Sequence, residues 1–184
     1  MPSNILQELS YNGFLLVVLE DEHYQENLHD ILKSVKNGNK ICYVCLTKPY
    51  IDVAEELKQN HMNLSDFFFV DTLTSHYDSP EQSENCAYVS SPTDLKNIED
   101  VIINSIKERN CDVIFVDTIS SLLLYQKEHP ILQFTNNLVS RDDHGIKKKI
   151  FILLRGDSVP IEECNKLLQN LEMFVDKKID FTGN

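Results

Sequence analysis

The sequence predicts an α/β fold: a three-layer α/β/α sandwich built on a mostly parallel, doubly wound sheet. Three observations lead there. Apolar runs of strand length alternate with helix-periodic segments along almost the whole chain. The runs are apolar on consecutive residues, the mark of strands buried on both faces and covered by helices. The chain has 184 residues and 42% hydrophobic content, which fits one domain with a sizeable core. Right-handed crossovers then put helices on each side of the sheet.

Residues 14–19 form the first apolar run, followed by a polar turn at 20–23. A helix comes next, with Leu28, Ile31, Leu32 and Val35 at helical spacing, and Asn37-Gly38-Asn39 ends it. Residues 41–46 make the second strand. Residues 51–60 make a helix facing inward through Val53, Ala54 and Leu57, and 67–70 make the third strand. Residues 71–91 are rich in Ser, Asp, Asn and Glu and read as an exposed loop insertion, with a short strand at 87–89. Pro92-Thr93-Asp94 opens a long helix carrying Leu95, Ile98, Ile102 and Ile106, and Asn110 closes it. Residues 113–116 are the fourth strand. Helical segments follow at 120–125 and 131–139, separated near Pro130, and 150–154 is the fifth strand. Pro160 starts the last helix, lined by Ile161, Cys164, Leu167, Leu168 and Leu171, and residues 174–181 return as a final strand.

Charge and cysteine usage narrow the function. Seventeen Lys+Arg against 29 Asp+Glu give a net charge of −12. Phosphate neutralisation by Lys and Arg drives nucleic-acid binding, so this balance argues against a nucleic-acid partner. The one basic cluster, residues 147–149, reads as a solvated strand edge. No apolar run reaches membrane-spanning length, which argues against membrane insertion. The first ten residues lack the basic-then-apolar pattern of a secretory leader, so the expected location is cytoplasmic. Five scattered cysteines do not make a disulfide framework. Cys42 and Cys45 form a C-x-x-C within a strand, where residues three apart point to opposite faces, so they read as buried thiols. The six histidines (23, 29, 61, 76, 129, 144) form no metal-binding pair at helical spacing; the one candidate is His23 with its nearby carboxylates. Neither G-x-S-x-G nor G-x-G-x-x-G is present.

In a doubly wound sheet the functional edge lies at the carboxyl ends of the strands. There the chain places Glu20, Asp21, Glu22 and His23; Thr47, Lys48, Pro49 and Tyr50; Asp71 and Thr72; Asp117, Thr118 and Ser120; and Arg155, Gly156 and Asp157. Val113-Ile114-Phe115-Val116-Asp117 resembles a Walker B strand, and Thr118-Ile119-Ser120-Ser121-Leu122 resembles the segment directly after that strand in KaiC-like proteins. Together with the element order from Phe14 to the tail, this makes the chain similar to the RecA/KaiC-like ATPases, and especially to their archaeal members. Phe67-Phe68-Phe69-Val70-Asp71 has the same strand-plus-aspartate form. The resemblance implies Asp117 as the residue that would help hold Mg²⁺, and side-by-side packing into a dimer or larger assembly.

The chain departs from that family where phosphate would bind. None of its five glycines (13, 38, 145, 156, 183) is followed by lysine, so the G-x-x-x-x-G-K-[ST] loop is missing. Glu20-Asp21-Glu22 stands in its place. Like charges about 4 Å apart repel by about 4 kcal/mol at an effective dielectric of about 20, so these carboxylates would oppose a triphosphate. The family's catalytic glutamate after the second strand is replaced by Thr47-Lys48-Pro49. The expectation is therefore a non-catalytic, regulatory or protein-binding module with no cofactor. Its partner would be a protein or a second copy, met through the acidic surface and the 71–91 loop. Two alternatives stand beside it. One is a divergent nucleotide or anion binder in signal transduction, using Asp117, Thr118, Lys48, Arg155 and Asp71, with Mg²⁺ on Asp117 and ATP as the ligand. The other is a receiver-like phosphorylation switch, in which the acidic group after strand one, ending Leu19-Glu20-Asp21, binds Mg²⁺ and Asp71 accepts the phosphoryl group.

Overall fold

The computed structural model describes residues 5–140, 148–156 and 158–182. Within them the order is α1 (Ile5–Tyr11), β1 (Phe14–Glu20), α2 (Tyr24–Val35), β2 (Ile41–Cys45), α3 (Tyr50–Gln59), β3 (Phe67–Asp71), α4 (Thr74–Tyr77), β4 (Cys86–Tyr88), α5 (Leu95–Arg109), β5 (Val113–Asp117), α6 (Glu128–Ser140), β6 (Lys148–Arg155), α7 (Ile161–Leu171) and β7 (Lys177–Asp180). The strands form one sheet in the order β4-β3-β2-β5-β6-β1-β7, and every pairing is parallel. The predicted α/β/α sandwich is therefore the observed one.

Alternation along each strand divides the core in two. Leu15, Val17, Leu19, Ile41, Tyr43 and Phe115 face α1, α2 and α3. Leu16, Val18, Cys42, Val44, Ile114 and Val116 face α5, α6 and α7. Burial on both faces explains why the strands read as unbroken apolar runs. Cys42 and Cys45 fall in different halves of the core, as the spacing of the C-x-x-C requires. The five cysteines are all free and buried.

Local signals end the helices as expected. The Asp94 carboxylate accepts from Asn97 N at 3.0 Å to cap α5, and Asn110 closes that helix in the left-handed region at φ 53°. Pro130 lies in the first turn of α6, where a missing N–H costs no helical bond, so α6 runs through it without a break. Residues 119–124 form a 3-10 helix that joins β5 to α6.

Several elements differ from the expectation. Helix α1 had no counterpart in the sequence reading: it is seven residues long and buries only Ile5 and Leu9, too few positions to show a period. Residues 71–91 are not a wholly exposed loop. Asp71, Thr72 and Leu73 are buried, and β4 adds an edge strand whose neighbour Val89 is sealed in the core, with Val89 N donating to Asp71 O at 2.8 Å. Residues 76–79 and most of 81–85 are exposed. Lys149 is also buried rather than solvated, because β6 begins earlier than its apolar run and pairs Lys149 with Phe14. Lys147, His144 and Gly145 lie outside the described residues, as do Asp157 and Gly183. No helix among the described residues is long and apolar enough to cross a membrane.

The sheet order removes the receiver alternative. Receiver domains use the order 2-1-3-4-5, which sets the first and third strands side by side. Here β6, β5 and β2 separate β1 from β3, so the acidic group after β1 and Asp71 stand at different places along the edge.

Candidate functional site

The chain leaves β2 toward β3 on one side and leaves β5 toward β6 on the other, which makes the β2/β5 junction a topological switch point. Ligand crevices in open α/β sheets form outside the strand ends at such a point. Asp117 ends β5 there and is only 3% exposed. The Tyr24 hydroxyl, from the first residue of α2, donates to Asp117 Oδ1, and the Tyr43 hydroxyl, from β2, donates to Oδ2. Both carboxylate oxygens thus meet neutral donors from the α2 side of the sheet. Burial pushes the Asp117 carboxyl above its usual range, while the two hydroxyls and Lys48 pull against that shift. Burial, with the Asp117 charge next in weight, holds both tyrosines well above the ordinary phenol value. The Asp117–Thr118 peptide bond is cis.

The other sequence-predicted residues do not converge on Asp117 as a ligand set. Lys48 is half-buried and paired with Glu56 of α3. The Gln25 amide bridges that pair, its oxygen accepting from Lys48 Nζ at 2.8 Å and its nitrogen donating to Glu56 Oε2 at 3.2 Å. Asp71 is fully buried and its carboxylate joins two chain segments. It accepts from Tyr50 N at 2.7 Å, Leu73 N at 2.8 Å, Thr74 N at 2.9 Å and Thr74 Oγ1 at 2.6 Å. Arg155 stands opposite Glu20 in the β1–β6 register and donates from Nη1 to Thr182 Oγ1 at 3.2 Å. Its Nε is buried and has no acceptor among the described residues. The Asp21 carboxylate packs over Gly156, where a Cβ would lie 2.2 Å from Asp21 Oδ2, so any larger residue at 156 would have to push that exposed side chain aside.

Thr118 goes elsewhere. It lines a cavity of about 200 Å³ on the α6–α7 side of the switch point, together with residues following β2, β5 and β6. Of the five predicted ligand residues it is the only one there. The hydroxyls of Ser120 and Ser121 fix the walls. Ser120 Oγ donates to Leu154 O and accepts from Leu154 N, both at 3.0 Å, and Ser121 Oγ donates to Thr118 O at 2.8 Å. No group of three or more His, Cys, Asp or Glu side chains could hold a metal ion among the described residues.

Tyr24 and Tyr43 are the site residues that sequence reasoning missed. One signal was available: a tyrosine inside a fully buried strand needs a partner for its hydroxyl, and the nearest strand-end acid is a natural one.

No family model matches the chain, and no curated protein matches it. Among solved structures it is similar to the crystal structure of a KaiC-like protein from the hyperthermophilic archaeon Pyrococcus horikoshii. The TM-score is 0.59 at 14% identity, over 85% of this chain and 70% of that one. The fold is RecA-like.

Proposed function

We propose that this chain is a RecA/KaiC-like domain that does not hydrolyse ATP and acts as a regulatory or protein-interaction module. One observation carries the reading. The aspartate in the Walker B position has both oxygens occupied by tyrosine hydroxyls in a water-excluded site. A metal-bound water would have to displace Tyr24 or Tyr43 to reach it, leaving a buried phenol unpaired at a cost of about 1–3 kcal/mol. Other features support the same reading. The connection from β1 to α2 is a single 3-10 turn, Asp21–His23, with two acids in its three residues. The lysine after β2 is engaged by Glu56. The net charge of −12 gives an acidic exterior through which a protein partner or a second copy would be met.

The test is isothermal calorimetry with ATP and Mg²⁺, alongside light scattering on the same sample. The expected result is no saturable heat at any concentration up to millimolar. Micromolar binding that disappears in Asp117→Asn would overturn the proposal.

A divergent anion binder remains as a second reading on one specific observation, the buried Arg155 Nε that lacks an acceptor among the described residues. It predicts phosphate binding without Mg²⁺ that is lost in Arg155→Gln and unchanged in Asp117→Asn.

A further inference from the structure

The cavity beside Thr118 has a different chemistry from the Asp117 cluster. A quarter of the chain is charged, yet no Asp, Glu, Lys or Arg side chain among the described residues lines this cavity. Its apolar wall includes Leu46, Leu73 and Val159, all buried. The serines that fix its other side spend their hydroxyls on backbone groups. Thr118 is different. It is 1% exposed and lines the cavity, and no side-chain hydrogen bond ties its hydroxyl to another described residue, so the hydroxyl is free to meet a ligand there. At the mouth, Leu124 and Tyr125 remain 54% and 42% exposed, a large apolar rim left in water.

We propose that this cavity binds a small uncharged aromatic molecule, of phenol or indole size, with one hydrogen-bonding group directed at Thr118. The size follows from volume: a cavity of about 150 Å³ accepts benzene, so about 200 Å³ accepts a substituted ring or a compact bicycle. The absence of charge follows from the walls, since an ion placed there would lose its hydration with no opposite charge among the described lining residues to compensate. The single polar group follows from Thr118, which can donate or accept. Apolar walls with a few convergent polar groups at a topological switch point are the usual anatomy of a small-molecule site. A nucleoside triphosphate fits neither the volume nor the charge. The proposal is independent of whether the Asp117 cluster binds nucleotide or a protein.

The chain contains no tryptophan, so added indole can be followed by its own fluorescence with little background. Titrating the protein into indole should give a saturable blue shift at one site. p-Cresol should displace indole, and benzoate, which is charged, should not. Thr118→Val keeps the shape and removes the hydroxyl, and should weaken indole binding about 2- to 10-fold, the worth of one net hydrogen bond. Leu124→Glu changes an exposed rim residue without threatening the core and should also weaken binding, so the test survives if Thr118→Val fails to fold. The proposal is overturned by an unsaturable response, by affinity unchanged in the folded variants, or by benzoate competing as well as p-cresol.

Discussion

At Asp117 two effects oppose one another. Burial disfavours the carboxylate, and the Tyr24 and Tyr43 hydroxyls favour it. The folded-state pKa is raised, so desolvation wins. Over the range between the unfolded and folded values, the native state then holds a proton that the unfolded chain has lost. Stability falls as pH rises through that window. Urea melts from acidic to neutral pH, with wild type compared against Asp117→Asn, should show wild type losing ground from about pH 4 upward, near the unfolded aspartate value. Tyr24→Phe removes a donor to the charged form, raises the folded pKa further and should deepen the loss. Curves for wild type and Asp117→Asn that stay parallel would mean that the carboxyl ionises as freely in the fold as in the unfolded chain. How much of this was legible differs by residue. Asp117 was visible as an acid ending an apolar run. Its partners were not, because residues 24 and 43 are remote in sequence and each looks like an ordinary aromatic position in a helix or strand. Asp71 has the same sequence form, and only its four donors, three from Leu73 and Thr74 and one from Tyr50 N, distinguish a carboxylate that ties β3 to α3 and α4 from one sealed by tyrosine side chains.

Long strands and helices were readable because their periods repeat over many residues, whereas short elements depend on tertiary contacts that composition hides. Helices α2, α5 and α7 each place at least four buried residues on one face. By contrast, β4 has three residues within a polar stretch, and it exists because β3 offers an open edge and Val89 can enter the core behind it. The 71–91 segment should therefore behave as two different materials. Glu81 and Glu84 are exposed, so a glutamate-specific protease should cut there first and leave a folded, nicked domain. Val89→Ala should cost about 1–3 kcal/mol through cavity formation, seen as a lower urea midpoint at unchanged slope. If instead the protease cut slowly and Val89→Ala left the midpoint unmoved, the exposed and anchored stretches of this segment would have been assigned the wrong way round.

For the whole molecule, parallel topology and acidity work together. Every strand runs in the same direction, so all the strand carboxyl ends gather on one edge. Even so, the predicted residues there divide among a tyrosine-sealed acid, a Lys48–Glu56 pair, a capping aspartate and a cavity with no charged side chain among its described lining residues. Sequence order located that edge but could not say which way each side chain turns from it, since a one-residue change in phase sends a side chain to the other face of the sheet. Around this frame lies a net charge of −12 with a pI near 4.8. Self-repulsion on that scale opposes compaction and is screened by salt, because the Debye length falls from about 30 Å at 0.01 M to about 8 Å at 0.15 M. Melting temperature at neutral pH should therefore rise as sodium chloride is added. Relief of about 1 kcal/mol corresponds to about 2–4 °C for a domain of this size. The control is the same salt series at a pH near the pI, where net repulsion vanishes and the rise should disappear. A rise of equal size at both pH values would point to a general salting effect on apolar burial, and would remove self-repulsion as the reason this acidic surface weakens the isolated domain.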